Sequence, residues 1–142
     1  MRTHSEHVCG WVRKAESDLV TLRTMLQSGL PLDTACFHGQ QAAEKYLKAL
    51  LTALSHPFPF THDLIVLNRE IRRVRPNFAV SLEDLGVLTP YAVTLRYDLS
   101  FWPDRDEALD VLARAQRIRA AVLIALGETA VGLQATPDPT SE

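Results

Sequence analysis

The stretch Ala35-Cys36-Phe37-His38-Gly39-Gln40-Gln41-Ala42-Ala43-Glu44-Lys45-Tyr46-Leu47-Lys48-Ala49-Leu50-Leu51-Thr52-Ala53-Leu54 decides the fold class. At about 100° per residue, Cys36, Gln40, Ala43, Leu47, Leu50 and Leu54 form one stripe of a helix. Ala35, Gly39, Ala42, Tyr46, Ala49 and Ala53 form a second stripe, mostly of small residues that let another helix come close. The pattern predicts a helix buried on two sides, with only a narrow polar wedge of His38, Gln41, Lys45 and Lys48. Glu44 borders that wedge and is placed to pair with Lys48 one turn on. Gln40 lies within an apolar stripe, where an unbonded amide costs roughly 1–3 kcal/mol. It is therefore expected to bond a polar group of a facing helix, such as Arg96 or Tyr91. On periodicity alone the wedge itself reads as a solvated helix edge.

The same periodicity extends outward in both directions. Val8, Val12, Ala15, Leu19, Leu22 and Leu26 mark a preceding helix that ends at Gly29, with Pro31 beyond. Asp33 or Thr34 is the expected cap of the central helix. His56-Pro57-Phe58-Pro59-Phe60 cannot be a regular helix, because its prolines lack donors and restrict their neighbours. Thr61 or Asp63 then opens a third helix with Leu64, Leu67, Ile71 and Val74 inward, stopped by Pro76. Ser81 and Asp84 have capping-box spacing for a fourth, whose stripe is Leu85, Leu88, Ala92, Leu95 and Leu99. Pro90 either kinks this helix or opens a fresh one capped by Thr89. Pro103 and Asp104 begin the last helix, with Ala108, Val111, Ala115, Ile118, Val122 and Ala125 spaced by three and four. The expected fold is all-α, an antiparallel bundle of about five helices, with one domain over 1–126 and a flexible tail over 127–142.

Composition agrees with one globular domain: 142 residues, 46% hydrophobic and 23% charged, with a net charge of −2. That charge balance excludes a generally basic, nucleic-acid-coating surface and leaves room for a local patch. Of the 15 cationic residues only Lys14, Lys45 and Lys48 are lysines, leaving 12 arginines, a surplus that suits bidentate carboxylate or phosphate recognition or, as the plainer reading, reflects genome composition. Cys9 and Cys36, without CxxC spacing, suit a reducing compartment. No apolar run reaches the length of a membrane span, and the first ten residues do not resemble a secretory signal. A cytoplasmic protein with no membrane partner is the expectation.

Several chemistries are absent from the sequence. There is no GxxxxGK[ST] or GxGxxG phosphate loop, and no glutamate is followed three residues later by histidine as in di-iron bundles. His4, His7 and Cys9, at a terminus expected to be unstructured, make a poor metal site. Neither metal nor cofactor is expected. Asp63, beside His62, reads as a helix cap. Arg69, Arg72, Arg73 and Arg75 cluster on the third helix as a phosphate patch or, on pattern alone, a solvated face. Tyr91, Arg96-Tyr97-Asp98 and Phe101-Trp102 gather around the end of the fourth helix, where aromatics usually close a bundle.

Taken in order, three blocks resemble the HEPN-domain family. They are Cys36-Phe37-His38-Gly39-Gln40-Gln41-Ala42-Ala43-Glu44-Lys45-Tyr46-Leu47-Lys48-Ala49-Leu50-Leu51, then His62-Asp63-Leu64, then Leu88-Thr89-Pro90-Tyr91-Ala92-Val93 leading to Arg96-Tyr97. Trp11, Ala15 and Asp18-Leu19 fit as well, so the likeness spans roughly Trp11 to Leu126. It implies a compact helical bundle, commonly a homodimer, often encoded beside a minimal nucleotidyltransferase. Some such pairs are toxin–antitoxin systems in which the HEPN protein is a ribonuclease. Other members are thought to bind nucleotides without cutting RNA.

The family's nucleases use an arginine followed, after four to six intervening residues, by histidine. The arginine holds the scissile phosphate while the imidazole moves the 2′-hydroxyl proton. Arg96 stands in the arginine position, but Phe101, Trp102 and Pro103 stand where histidine belongs, and no histidine follows His62. Asp98 also replaces a proline frequent after the Arg-Tyr pair. The resemblance therefore implies a non-catalytic protein that binds a nucleotide or RNA phosphate, with Arg96 as phosphate contact. His38, Gln41, Lys45 and Lys48 are then the polar wall, with Tyr97, His62, Asp63 and Tyr91 behind them. Two alternatives stay open: a metal-independent ribonuclease toxin using Arg96 with a displaced histidine, and a structural dimeric interaction module.

Overall fold

The computed structural model describes residues 3–135, and side chains through 129. Among them are five α-helices and no strand: α1 His4–Ser28, α2 Asp33–Ala53, α3 Leu64–Val74, α4 Leu82–Leu88 and α5 Arg105–Ala135, with a 3-10 turn over Thr89–Tyr91. The all-α bundle expected from periodicity is the fold observed.

The helix ends show why the elements begin and stop where they do. Thr3 and Glu6 form a reciprocal capping box, so α1 starts at His4 and the terminus expected to be irregular is helical. Gly29, at φ 72°, ends it in the left-handed conformation that glycine adopts without cost. Neither Asp33 nor Thr34 caps α2; Leu32 holds the cap position with no side-chain bond, and Asp33 lies in the first turn. Asp63 Oδ1 accepts from Ile65 N at 2.9 Å and opens α3, while Thr61 accepts from Asp63 N. Ser81 caps α4, but Asp84 does not return the bond, because α5 engages its carboxylate.

α4 is shorter than expected and does not reach Leu99. Pro90 has no N–H to give the carbonyl of Gly86, and the chain tightens into the 3-10 turn and then turns through 92–97. The outcome is neither a kinked helix nor a fresh α-helix capped by Thr89, whose hydroxyl donates to Leu85 O at 2.8 Å and accepts from Leu64 N. Ala92 is buried, Leu95 half-buried and Leu99 exposed. Val74, expected inward, is exposed at the last turn of α3. At the other end, α5 runs through Gly127 to Ala135, so the helix overruns the boundary expected at 126; the remainder of the expected tail, 136–142, lies outside the described residues.

α2 is the central element, packed against α1, α3, α5 and the 3-10 turn. Leu47, Leu50 and Leu51 join Leu19, Leu22, Leu64, Leu67, Ile71, Leu85 and Ile118 in one core. The small stripe admits the neighbouring helices at short range, most closely at Gly39, beside Val111 of α5 and Leu22 of α1. Tyr46 is fully buried, and its hydroxyl donates to Glu16, which also accepts from Arg119 Nε at 2.6 Å. Three helices thus meet at one carboxylate. Burial alone raises the pKa of Glu16, but the bonds from Tyr46 and Arg119 outweigh it and hold the group below its ordinary value.

Candidate functional site

Arg96 leaves the irregular segment after the 3-10 turn and lays its guanidinium over the ring of Phe37, 4.4 Å from the centroid. Phe37 is the residue before His38 on α2, so the loop and the first turns of α2 enclose a cleft of about 290 Å³. Asp33, Thr34, Phe37, His38 and Arg96 line it. That volume suits a phosphate with its sugar. Among the described residues Arg96 pairs with no carboxylate and donates no hydrogen bond, so its planar fork is open to an incoming oxyanion. Stacking on Phe37, worth about 0.5–2 kcal/mol for such pairs, restricts the guanidinium without consuming its N–H groups.

His38 is oriented from the opposite side. Its Nδ1 lies 2.7 Å from Asp18 Oδ1 on α1, and Lys45 Nζ lies 2.6 Å from Asp18 Oδ2. A carboxylate only accepts, so Nδ1 is the donor in this contact and Nε2 is the nitrogen left without a partner among the described residues. Asp18 is 7% exposed, which makes the imidazole's tether a buried one. Asp18 and Phe37 complete this candidate site, and the sequence pattern gave neither of them a role. The available signal was an acid on the inward stripe of α1, at helical spacing from Ala15 and Leu22.

The other candidates divide into a second cluster. Gln40 is buried, but its partners are not Arg96 or Tyr91. Its Nε2 donates to His62 O at 3.0 Å and Glu44 Oε1 at 3.3 Å, and its Oε1 accepts from Gln41 at 2.7 Å. The α3 entry, not the fourth helix, is what faces this side of α2. Glu44 also holds Lys48 at 3.1 Å and His62 at 2.8 Å. Lys48 lies 5.6 Å from the ring centroids of both Trp11 and Phe58. Gln41, Lys48 and His62 are thus engaged with one another's partners, and Lys45 is engaged with Asp18. Asp63 caps α3. Tyr91 is buried; its hydroxyl donates to Glu107 at 2.7 Å, and burial followed by that carboxylate raises its pKa above the usual tyrosine range. Its ring tilts against Phe101 at 5.7 Å, closing the bundle end as expected of aromatics there. Tyr97 is exposed with its ring 5.6 Å from Arg96. The structure therefore brings Arg96 and His38 to one cleft and keeps Gln41, Lys48 and His62 in a separate polar network.

Among the described residues, no group of three or more His, Cys, Asp or Glu side chains could hold a metal ion, and no helix is long and apolar enough to cross a membrane. The HEPN domain model matches residues 8–125. The chain is similar to TT1696 from Thermus thermophilus, at 26% identity and TM-score 0.70, over 83% of this chain and 97% of that one. It shares its fold with ST0689, an archaeal HEPN homologue, at 23% identity and TM-score 0.65, over 84% of this chain and 97% of that one. No curated protein matches it. With the family model spanning all five helices, the chain belongs to the HEPN-domain family.

Proposed function

We propose that this protein binds the phosphate of a nucleotide or RNA end without cutting it, in the cleft between Arg96 and His38. In this reading it acts as a homodimer with a minimal nucleotidyltransferase partner, in a toxin–antitoxin-like pair. The observation that carries it is the unpaired Arg96 guanidinium, stacked on Phe37 at the rim of a cleft whose other wall holds His38. Arg96 takes two phosphate oxygens through its fork, and Thr34 and Asp33 offer a hydroxyl and an acceptor to the sugar or base. Lys45 and Lys48, both neutralised by buried carboxylates, contribute little to anion binding. The test is calorimetric titration with nucleoside 5′-phosphates. Micromolar binding that Arg96→Ala weakens at least tenfold is expected; no heat at concentrations saturating for a micromolar site removes the reading.

One observation favours the ribonuclease alternative. A histidine from another element, His38, lines the same cleft as Arg96, with its Nδ1 tethered to Asp18. In that case the ribose 2′-oxygen bonds phosphorus, its proton passes to His38, and the phosphorus–5′-oxygen bond breaks with the leaving oxygen taking a proton from water. RNA that stays intact with the wild-type protein and carries no 2′,3′-cyclic ends disposes of it.

A further inference from the structure

Phe37 touches both of the basic side chains that line the Arg96 cleft. Its face carries the Arg96 guanidinium at 4.4 Å, and its ring meets that of His38 edge-on, with centroids 5.5 Å apart. Arg96 is a fixed cation, because a guanidinium does not lose its proton in a protein. His38 differs, since imidazole is the side chain whose charge can change between about pH 5 and 8.

Behind the ring, Asp18 is divided between two partners. One carboxylate oxygen lies 2.7 Å from His38 Nδ1 and the other 2.6 Å from Lys45 Nζ, and the carboxylate is nearly buried. The ammonium therefore already offsets the negative charge that would favour an imidazolium. The charged groups about the ring are Asp18 from α1, Asp33 and Lys45 from α2, and Arg96 from the segment 92–97. They are two acids and two cations. Nδ1 donates to Asp18 in either charge state of the ring, so protonation leaves that bond in place. What protonation changes is Nε2, which becomes a second donor and has no partner among the described residues.

An oxyanion on the Arg96 fork brings negative charge into a cleft of only about 290 Å³ that His38 also lines. An opposite charge within about 4–6 Å favours the protonated ring, and Nε2–H then offers the anion a charge-assisted bond. Linkage is reciprocal, so a proton that strengthens anion binding is itself held more tightly when the anion is present. Lys45 works against this from behind. Without its charge, Asp18 acts on His38 undivided, and a buried carboxylate left unbalanced favours the imidazolium with no anion at all.

We infer that anion binding in the Arg96 cleft is coupled to proton uptake by His38, and that Lys45, acting through Asp18, sets the pH at which the uptake occurs. The inference rests on the reading that an anion occupies this cleft. Lys45 is then a positioning residue that touches no ligand, and the cleft tightens on its anion as the pH falls.

The test follows the Cε1–H resonance of His38 against pH by NMR, assigned by its loss in His38→Gln. Titrations are run with sodium sulfate, an oxyanion that does not itself titrate in this range, and with sodium chloride at the same ionic strength. Sulfate is expected to raise the wild-type midpoint by about half a pH unit or more, and to lose that effect in Arg96→Ala. In chloride alone, Lys45→Gln should raise the midpoint by about one pH unit, because glutamine still donates to Asp18 but carries no charge. Lys45→Met, which keeps the aliphatic stem, should shift it the same way, and Lys45→Arg should titrate with the wild type. A midpoint that is the same in Lys45→Gln, Lys45→Met and wild type overturns the role of Lys45, and this comparison needs no ligand. Sulfate that shifts the Arg96 Nε–H resonance but not the His38 midpoint overturns the coupling. Sulfate that shifts neither removes the anion site itself, and the coupling with it.

Discussion

Gly39 lies so close to Val111 that a Cβ built on the glycine would sit 2.3 Å from Val111 Cγ1. The contact joins the centre of α2 to α5, and it explains a glycine in mid-helix, where alanine is intrinsically better by about 1 kcal/mol. Close packing of the two backbones outweighs helix propensity here.

Gly39→Ala is therefore expected to destabilise the protein. Val111 is β-branched, and its Cγ1 is one bond from Cβ, so it cannot swing aside as the end of a long side chain would. Overpacking typically costs about 1–3 kcal/mol, more than the propensity gain. Adding Val111→Ala should recover part of the loss. A coupling near zero in the urea-unfolding cycle of the two substitutions would show that this contact is not the cause.

Asp84 supplies a pH-dependent fastening between α4 and α5. It is almost fully buried, accepts from Arg117 at 2.7 and 2.8 Å and from Arg114 at 3.0 Å. The Arg117 bond is the leading cause holding its carboxyl below the ordinary value, with Arg114 adding to it against burial. A depressed folded-state pKa stabilises above the unfolded value near 4 and loses that stabilisation as pH falls through the folded value. Unfolding midpoints should thus decline below about pH 4. Asp84→Asn should flatten that decline and cost about 1–2 kcal/mol at neutral pH, since Arg117 is largely exposed. An unchanged acid profile in Asp84→Asn would remove Asp84 as its source.

The two thiols should separate kinetically. Burial, followed by the charges of Glu107 and Asp33, pushes Cys36 up to about 12, whereas Cys9 is exposed. At pH 8 one thiol per folded chain should react promptly with a disulfide reagent and the second only at the unfolding rate. Two fast thiols would show that α2 opens locally at Cys36.

At the Arg96 cleft, charge alone should not suffice. Arg96→Lys retains the cation but loses the fork and its stacking on Phe37, so nucleotide binding should recover only part of what Arg96→Ala loses. Phe37→Ala should weaken binding by about three- to tenfold through the same stacking. Equal affinity of Arg96→Lys and wild type would reduce the site to simple Coulomb attraction.

The bundle was legible because α2 writes its two buried faces in strict helical spacing, and because Gly29 and Pro76 end helices by local backbone chemistry. The end of α4 was not, since Leu95 and Leu99 continue the apolar spacing while Pro90 removes the bond that a helix there needs. At the site, Arg96 and His38 were identifiable singly, yet their shared cleft depends on the path of 92–97, which no periodicity describes. Gln40 was rightly expected to be bonded, but its partner at His62 is a backbone carbonyl, and side-chain patterns carry no information about carbonyls. The Glu44–Lys48 pair was legible from i,i+4 spacing, whereas Trp11 and Phe58, which also flank Lys48, lie on other segments that spacing does not bring to it.

Arg75 closes α3 by donating to Ala125 O at 3.0 Å and Thr129 Oγ1 at 2.9 Å, on either side of Gly127. A guanidinium that grips α5 across its glycine ties the C-cap of α3 to the 125–129 turn of α5, so the two segments are expected to open together. In hydrogen exchange, the amides just beyond Gly127 should exchange with the last turn of α3 and not as a frayed terminus. Arg75→Ala should release both together, so protection beyond Gly127 is expected to depend on the cap residue of α3.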